Sequence, residues 1–220
     1  MNAPRSTPPP LREALRVLVV TDAALASPRS VPEVVESALR GGARAVQLRN
    51  KGASARELLD VGQELRALTR RWGALLFVND RLDVALALEA DGVHVGPEDL
   101  PVSAVRGRAP EGFLVGRSAD QVGVARQAVT DGADYLGCGT VYSTATKEDT
   151  GQVIGVAGLR RIVEAVRIPV VGIGGITAAR APEVAGTGAA GVAVVGAVMG
   201  ADDPQAAVRA LGAPFANGGA

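Results

Sequence analysis

The chain has 220 residues, of which 47% are hydrophobic and 3% aromatic, and its 23 basic residues are balanced by 23 acidic ones. That length and apolar content suit one α/β core, while zero net charge and scarce aromatic rings exclude a global pull on nucleic acid or membrane and a base-stacking platform. One cysteine, Cys138, excludes an internal disulfide, and no uninterrupted apolar run reaches ~18 residues, so no membrane span and a reducing cytoplasm are expected. Residues 1–14, without an apolar signal core and with prolines at 8–10, read as a loose tail. In chain order there follow strand 17–20, helix 31–39, strand 45–48, helix 55–71, strand 75–78, helix 82–89 and strand 92–95. The connection 100–109 is short and weakly helical. Strand 114–116, helix 121–130, strand 135–138, helix 157–165, strand 170–173, helix 181–185, strand 192–195 and helix 203–211 complete the series, and 213–220 reads as a second tail.

Eight strands alternating with helices predict a single (β/α)8 TIM barrel over residues 15–212, with a doubly wound open sheet as the rival. Gly41-Gly42-Ala43, Asp131-Gly132-Ala133-Asp134 and Gly188-Ala189-Ala190-Gly191 each stand just before a strand, as helix-end glycines would in a repeating unit.

In such a barrel, ligands sit at the carboxyl ends of the strands. The sixth strand leads into Val-Tyr-Ser-Thr-Ala-Thr-Lys (141–147), where Thr144 and Thr146 offer hydroxyl donors and Lys147 a compact charge, a composition suited to an anion. Arg49 and Lys51, two apart after strand two, would reach one side of a diphosphate if the chain stays extended; a solvated surface pair is the bland alternative. Asp80 and Asp99 follow strands three and four. Carboxylates in a cationic, phosphate-binding rim suit Mg²⁺, which typically takes one or two of them plus substrate oxygens. Helix capping by Asp80 and a turn role for Asp99 remain equally good readings of the spacing. Gly174-Gly175 after strand seven and Gly196 after strand eight would let backbone amides approach a phosphate. His94, the sole histidine, reads as a hydrogen-bonded structural residue, Cys138 as core and Trp72 as packing. No nucleophile paired with a base, in particular no Ser–His pair, is evident, and no zinc ligand set is present.

Taken together, Val-Gln-Leu-Arg-Asn-Lys (46–51), Phe-Val-Asn-Asp-Arg (77–81), Ala-Asp-Gly-Val-His-Val-Gly-Pro-Glu-Asp-Leu (90–100), Val-Gly-Arg-Ser (115–118), Ser-Thr-Ala-Thr-Lys (143–147), Ile-Gly-Gly-Ile (173–176) and Val-Ala-Val-Val (192–195) resemble the thiamine phosphate synthase family, in its order and over nearly the whole core. The resemblance implies a Mg²⁺-dependent transferase that joins a pyrimidine methyl diphosphate to a thiazole ethyl phosphate, releasing pyrophosphate. It implies that Gln47 bonds the pyrimidine, and that Arg49, Lys51, Asn79, Ser118 and Lys147 surround the diphosphate, with Lys51, Ser118 and Lys147 acting in catalysis. It further implies that Asp80 and Asp99 hold Mg²⁺, and that Thr144, Thr146, Gly175 and the Val195-Gly196 backbone hold the thiazole phosphate. Small-molecule substrates are the implied partners, without nucleic acid or membrane, and a homodimer is the assembly to test. This chain departs from the family pattern at Leu18, Asn50, Thr140 and Gly196. The rivals are the sister thiazole tautomerases and a non-catalytic thiazole or thiamine phosphate binder. The tautomerases place a histidine where this chain has Asp120 and tend to lose the pair kept here as Asn79-Asp80.

Overall fold

The computed structural model describes residues 9–143 and 153–216. Eight strands close a barrel in chain order: β1 Val17–Val20, β2 Ala45–Leu48, β3 Leu75–Asn79, β4 Gly92–Val95, β5 Leu114–Ser118, β6 Tyr135–Cys138, β7 Val170–Ile173 and β8 Gly191–Val194. Each pair of neighbours is parallel, and β1 pairs with both β2 and β8, so the open-sheet rival is excluded.

Every strand buries both faces, and the period-two alternation of side chains divides them between two apolar layers. Leu18, Val20, Ala45, Leu75, Phe77, Tyr135, Val171 and Ala193 fill the barrel. Val17, Val19, Val46, Leu48, Leu76 and Val78 face the helices. Closing the last strand against the first demands a close approach: a Cβ on Gly191 would lie 2.0 Å from the Leu15 carbonyl oxygen, which only glycine allows.

Three strands differ at their ends from the sequence expectation. β3 runs on through Asn79 and β5 through Arg117 and Ser118, because Asn79 pairs with His94, Arg117 with Leu136 and Ser118 with Gly137. Backbone pairing continues where the apolar run has stopped. β8 begins at Gly191 and ends at Val194, since Val195 already opens the short helix Gly196–Met199. The weakly helical connection contains one helix, Val102–Arg106. Helices Leu11–Ala14 and Ala23–Ala26 and the 3₁₀ turn Ala213–Phe215 were not foreseen. Ala14 and Phe215, expected in the tails, are buried.

The helices start where the sequence supplies partners for their free amides. Ser30 and Ser54 each form a capping box, with Glu33 and Glu57, for helices Val31–Arg40 and Ala55–Trp72. At the amino-terminal face of the barrel two aspartates repeat one job. Asp91 accepts hydrogen bonds from Arg66 Nη1 and Nη2, at 2.6 and 3.2 Å, and from the Leu76 amide at 2.7 Å. Asp134 pairs with Arg106 and accepts the Val115 amide at 2.7 Å. Each ties the entry of one strand to the strand before it.

Candidate active site

The polar strand ends meet at the carboxyl rim in two halves. The first lies over β2, β3 and β4. Gln47 points into the barrel and is 4% exposed. Arg49 lies just past β2, where its amide donates to the Thr21 hydroxyl at 2.8 Å and its carbonyl accepts that hydroxyl at 3.1 Å. Thr21, fully buried after β1, thus braces the segment that carries Arg49. Strand pairing stops at Leu48 and the chain turns, with Asn50 accepting the Gly52 amide. Arg49 and Lys51 therefore sit on a turn and not on an extended end, yet both act electrostatically on Asp80.

Asp80 does not cap the next helix. That helix, Leu82–Ala87, has Arg81 as its N-cap and no side-chain cap bond. Asp80 instead takes φ 63, with its amide donating to the His94 carbonyl at 2.8 Å, and this places its side chain beside Asp99. Asp99 does fill the turn role, accepting the Gly96 amide at 2.7 Å, and it also meets Asp80. Half burial, the hydrogen bond to Asp99 and the Asp99 charge push the Asp80 carboxyl up to about 6, against the opposing pull of Lys51 and Arg49. No group of three or more potential metal-ligating side chains occurs among the described residues. Two adjacent carboxylates under mutual repulsion fit a cation that completes its shell with water and substrate oxygens.

The second half is a cavity of about 600 Å³ over β5 to β8. Ser118, Gly175, Val195 and Gly196 line it. Gly174 and Gly175 hold φ 102 and 61, and a Cβ on Gly175 would lie 2.7 Å from the Tyr142 carbonyl oxygen. Only glycines make this crossing, which leaves the backbone exposed to the cavity. Opposite them, Val195 and Gly196 open helix Gly196–Met199, whose first amides have no partner in their own helix. Thr144, Thr146 and Lys147 lie outside the described residues.

Three charged groups join this half, of which Arg180 alone carried no sequence signal. Arg117 and Asp120 line the cavity, and burial pulls the Arg117 guanidinium down while Asp99 and Asp120 hold it up. Arg180 donates to the Gly175 carbonyl at 2.7 Å and stacks 4.5 Å from the Tyr142 ring centre.

Between the halves stands a pair that the sequence reading did not find. His94 Nε2 lies 3.0 Å from Ser118 Oγ, and its Nδ1 lies 3.1 Å from the Tyr135 hydroxyl. A Ser–His contact is therefore present, correcting the expectation that none exists. The two residues are 24 apart, and only the β4–β5 neighbourhood brings them together. Cys138 is core, as expected, and burial pushes its thiol up to about 12.

A family model described as "Thiamine monophosphate synthase" matches residues 17–198. A thiamine-phosphate synthase of Chloroflexus aurantiacus is 53% identical over 196 residues, covering 89% of this chain and 90% of that protein. One of Pyrococcus furiosus is 50% identical over 203 residues, covering 91% and 95%. The solved thiamine phosphate pyrophosphorylase of Pyrococcus furiosus superposes with a TM-score of 0.86 at 46% identity, covering 95% of this chain and 99% of that one. A 3-hexulose-6-phosphate synthase structure, at 19% identity and a TM-score of 0.67, shares the barrel alone. Matched over most of its length by the family model and by these relatives, the chain belongs to the thiamine monophosphate synthase family.

Proposed function

We propose that this protein is the transferase that condenses 4-amino-5-hydroxymethyl-2-methylpyrimidine diphosphate with 4-methyl-5-(2-phosphooxyethyl)thiazole to thiamine phosphate and pyrophosphate. The observation that carries the reading is the division of the rim. A cation-flanked carboxylate pair, Asp80 and Asp99 with Arg49 and Lys51, shares the rim with a separate glycine-lined cavity, whose lining includes Ser118. One half suits a metal-bound diphosphate and the other a phosphorylated acceptor.

The pyrimidine methylene–oxygen bond breaks with its electron pair leaving on pyrophosphate, and the amino-substituted ring stabilises the cation left behind. The thiazole nitrogen then supplies the electron pair of the new carbon–nitrogen bond. The protein's task is to stabilise charge growing on the leaving group. Arg49 and Lys51 supply fixed positive charge there. One unit charge ~4 Å from another is worth roughly 4 kcal/mol at an effective dielectric near 20, before desolvation. Asp80 and Asp99 would hold Mg²⁺, which when bound neutralises diphosphate charge. Gln47, at the floor of the rim, orients the pyrimidine, and Asn79 adds a neutral donor to the diphosphate. The Gly175 and Gly196 backbone holds the acceptor's phosphate, so that its thiazole faces the pyrimidine. Lys147 and the hydroxyls of Thr144 and Thr146 complete the two anion sites. No helix among the described residues is long and apolar enough to cross a membrane, and a cytoplasmic enzyme working on soluble phosphates accords with this.

The test mixes purified protein with both substrates and Mg²⁺ and reads thiamine phosphate as fluorescent thiochrome, with EDTA as control. Product that needs protein and Mg²⁺ is expected. Folded protein that yields none, with either the simple or the carboxylated thiazole, would overturn the reading in favour of a tautomerase or a binding protein.

A further inference from the structure

The contact between Ser118 and His94 has two opposite chemical uses. An Nε2 without a proton accepts the serine proton and makes Oγ a nucleophile. An Nε2 that carries the proton donates to Oγ instead, and the serine's own proton is then turned toward a ligand. The group facing Nδ1 decides between the two tautomers. In a Ser–His–Asp triad that group is a carboxylate, which keeps the proton on Nδ1. Here it is the Tyr135 hydroxyl, 3.1 Å away.

Tyr135 is wholly buried, and burial raises its phenol far above the ordinary tyrosine range, so the hydroxyl keeps its proton and has one to donate. Gln47 hydrogen-bonds the same hydroxyl; a phenol O–H is a stronger donor than a neutral imidazole N–H, and Gln47 can serve that oxygen with its NH₂. The tyrosine proton is then left for His94. The backbone also fixes the rings. A Cβ on Gly116 would lie 2.2 Å from Tyr135 Cζ and 2.5 Å from His94 Nδ1, and one on Gly137 would lie 3.0 Å from His94 Cε1. Phe77 packs against the Tyr135 ring, with centres 5.1 Å apart. Two strand glycines thus make the space in which these rings meet.

We propose that Tyr135 and His94 are positioning residues: Tyr135 donates to Nδ1, Nε2 donates to Ser118 Oγ, and Ser118 thereby presents its proton to the leaving diphosphate. The use of that proton rests on the function proposed above, but the order of the hydrogen bonds belongs to the free protein. Ser118 is on this account a donor held in one sense, and not a nucleophile.

His94 is the only histidine, so the imidazole ¹⁵N spectrum of the labelled full-length protein reports this ring alone. For the neutral ring, identified by following the spectrum with pH, a pyridine-type Nδ1 and a pyrrole-type Nε2 are expected. Tyr135→Phe should shift the ring toward the other tautomer and lower kcat roughly tenfold, the scale of one hydrogen bond, with both KM values little changed. Ser118→Ala should leave the tautomer as it is, and in that background Tyr135→Phe should cost nothing further in kcat. A pyridine-type Nε2 or averaged shifts in the wild type would overturn the proposal. So would a Tyr135→Phe effect that persists in full without Ser118. Should Tyr135→Phe fail to fold, the wild-type and Ser118→Ala spectra decide alone. The expected tautomer in a protein that makes no thiamine phosphate would sink the reaction assignment and leave the relay standing.

Discussion

Asp80 concentrates the cost of the site in one residue. It is one of two non-glycine residues with positive φ among those described, the other being Glu89, and its carboxyl must ionise beside Asp99. Such local cost is often found at functional positions. Its folded pKa, about 6, stands above the ordinary 3.8. Below about pH 4 the carboxyl is protonated folded or unfolded, so its favourable contribution is fully present; that contribution is lost as pH rises through about 6. In EDTA, Asp80→Asn should therefore melt higher than wild type at pH 8, by on the order of 1 kcal/mol after allowance for solvent screening, with the gap closing toward pH 4. A gap independent of pH would show that the pair does not repel. Lys51 is exposed and has no described hydrogen bond, so Lys51→Ala should leave the melting temperature nearly unchanged while kcat falls on the order of 10²-fold to 10³-fold. An unchanged kcat would remove Lys51 from the leaving-group site.

At the scale of elements, the barrel's two rims do different work. The amino-terminal rim is braced by Asp91 and Asp134, each holding an arginine and the amide of a neighbouring strand. Asp134→Ala would leave the partly buried Arg106 guanidinium and the Val115 amide short of an acceptor. Urea unfolding should show a loss of about 2–4 kcal/mol, with KM for both substrates unchanged because the change lies at the far end of β5 and β6. Ser54→Ala removes one half of a capping box and should cost about 1 kcal/mol. The carboxyl rim shows the reverse priorities. Its strand ends carry buried or half-buried polar groups, a left-handed aspartate and a glycine crossing, all of which weaken a fold and suit a ligand.

For the whole molecule, the closed barrel sets a metal-suited pair over β2 to β4 against a glycine-lined cavity over β5 to β8. If Asp80 and Asp99 hold Mg²⁺, the ion should stabilise the folded protein by about 1.4 kcal/mol at tenfold excess over its Kd. Thermal melts of wild type should rise with added Mg²⁺, and those of Asp80→Asn should not; equal rises in both would place the metal elsewhere. The described residues bury most of their apolar side chains in one barrel with two apolar layers.

The eight strands, most of the helices and the closed (β/α)8 class were legible in the sequence, because period-two and helical apolar patterns are local properties of adjacent residues. So were Asp80, Asp99, Arg49, Lys51, Ser118 and the Gly174-Gly175 and Gly196 turns, since chemistry at the carboxyl end of a strand can be read once the strand is placed. The extension of β5 through Arg117 and Ser118 was not legible, because strand pairing and not apolarity sets that end. Asp80 could be taken for a helix cap until Arg81 proved to occupy the N-cap position. The contacts of Thr21 with Arg49, Arg180 with Gly175, and Gln47 and His94 with Tyr135 join residues from separate β/α units or from opposite ends of one loop. Sequence by itself determined most of the groups that reach the rim. Tertiary structure alone decided which of them meet, because barrel closure brings distant strands within hydrogen-bond distance, and no spacing along the chain encodes that distance.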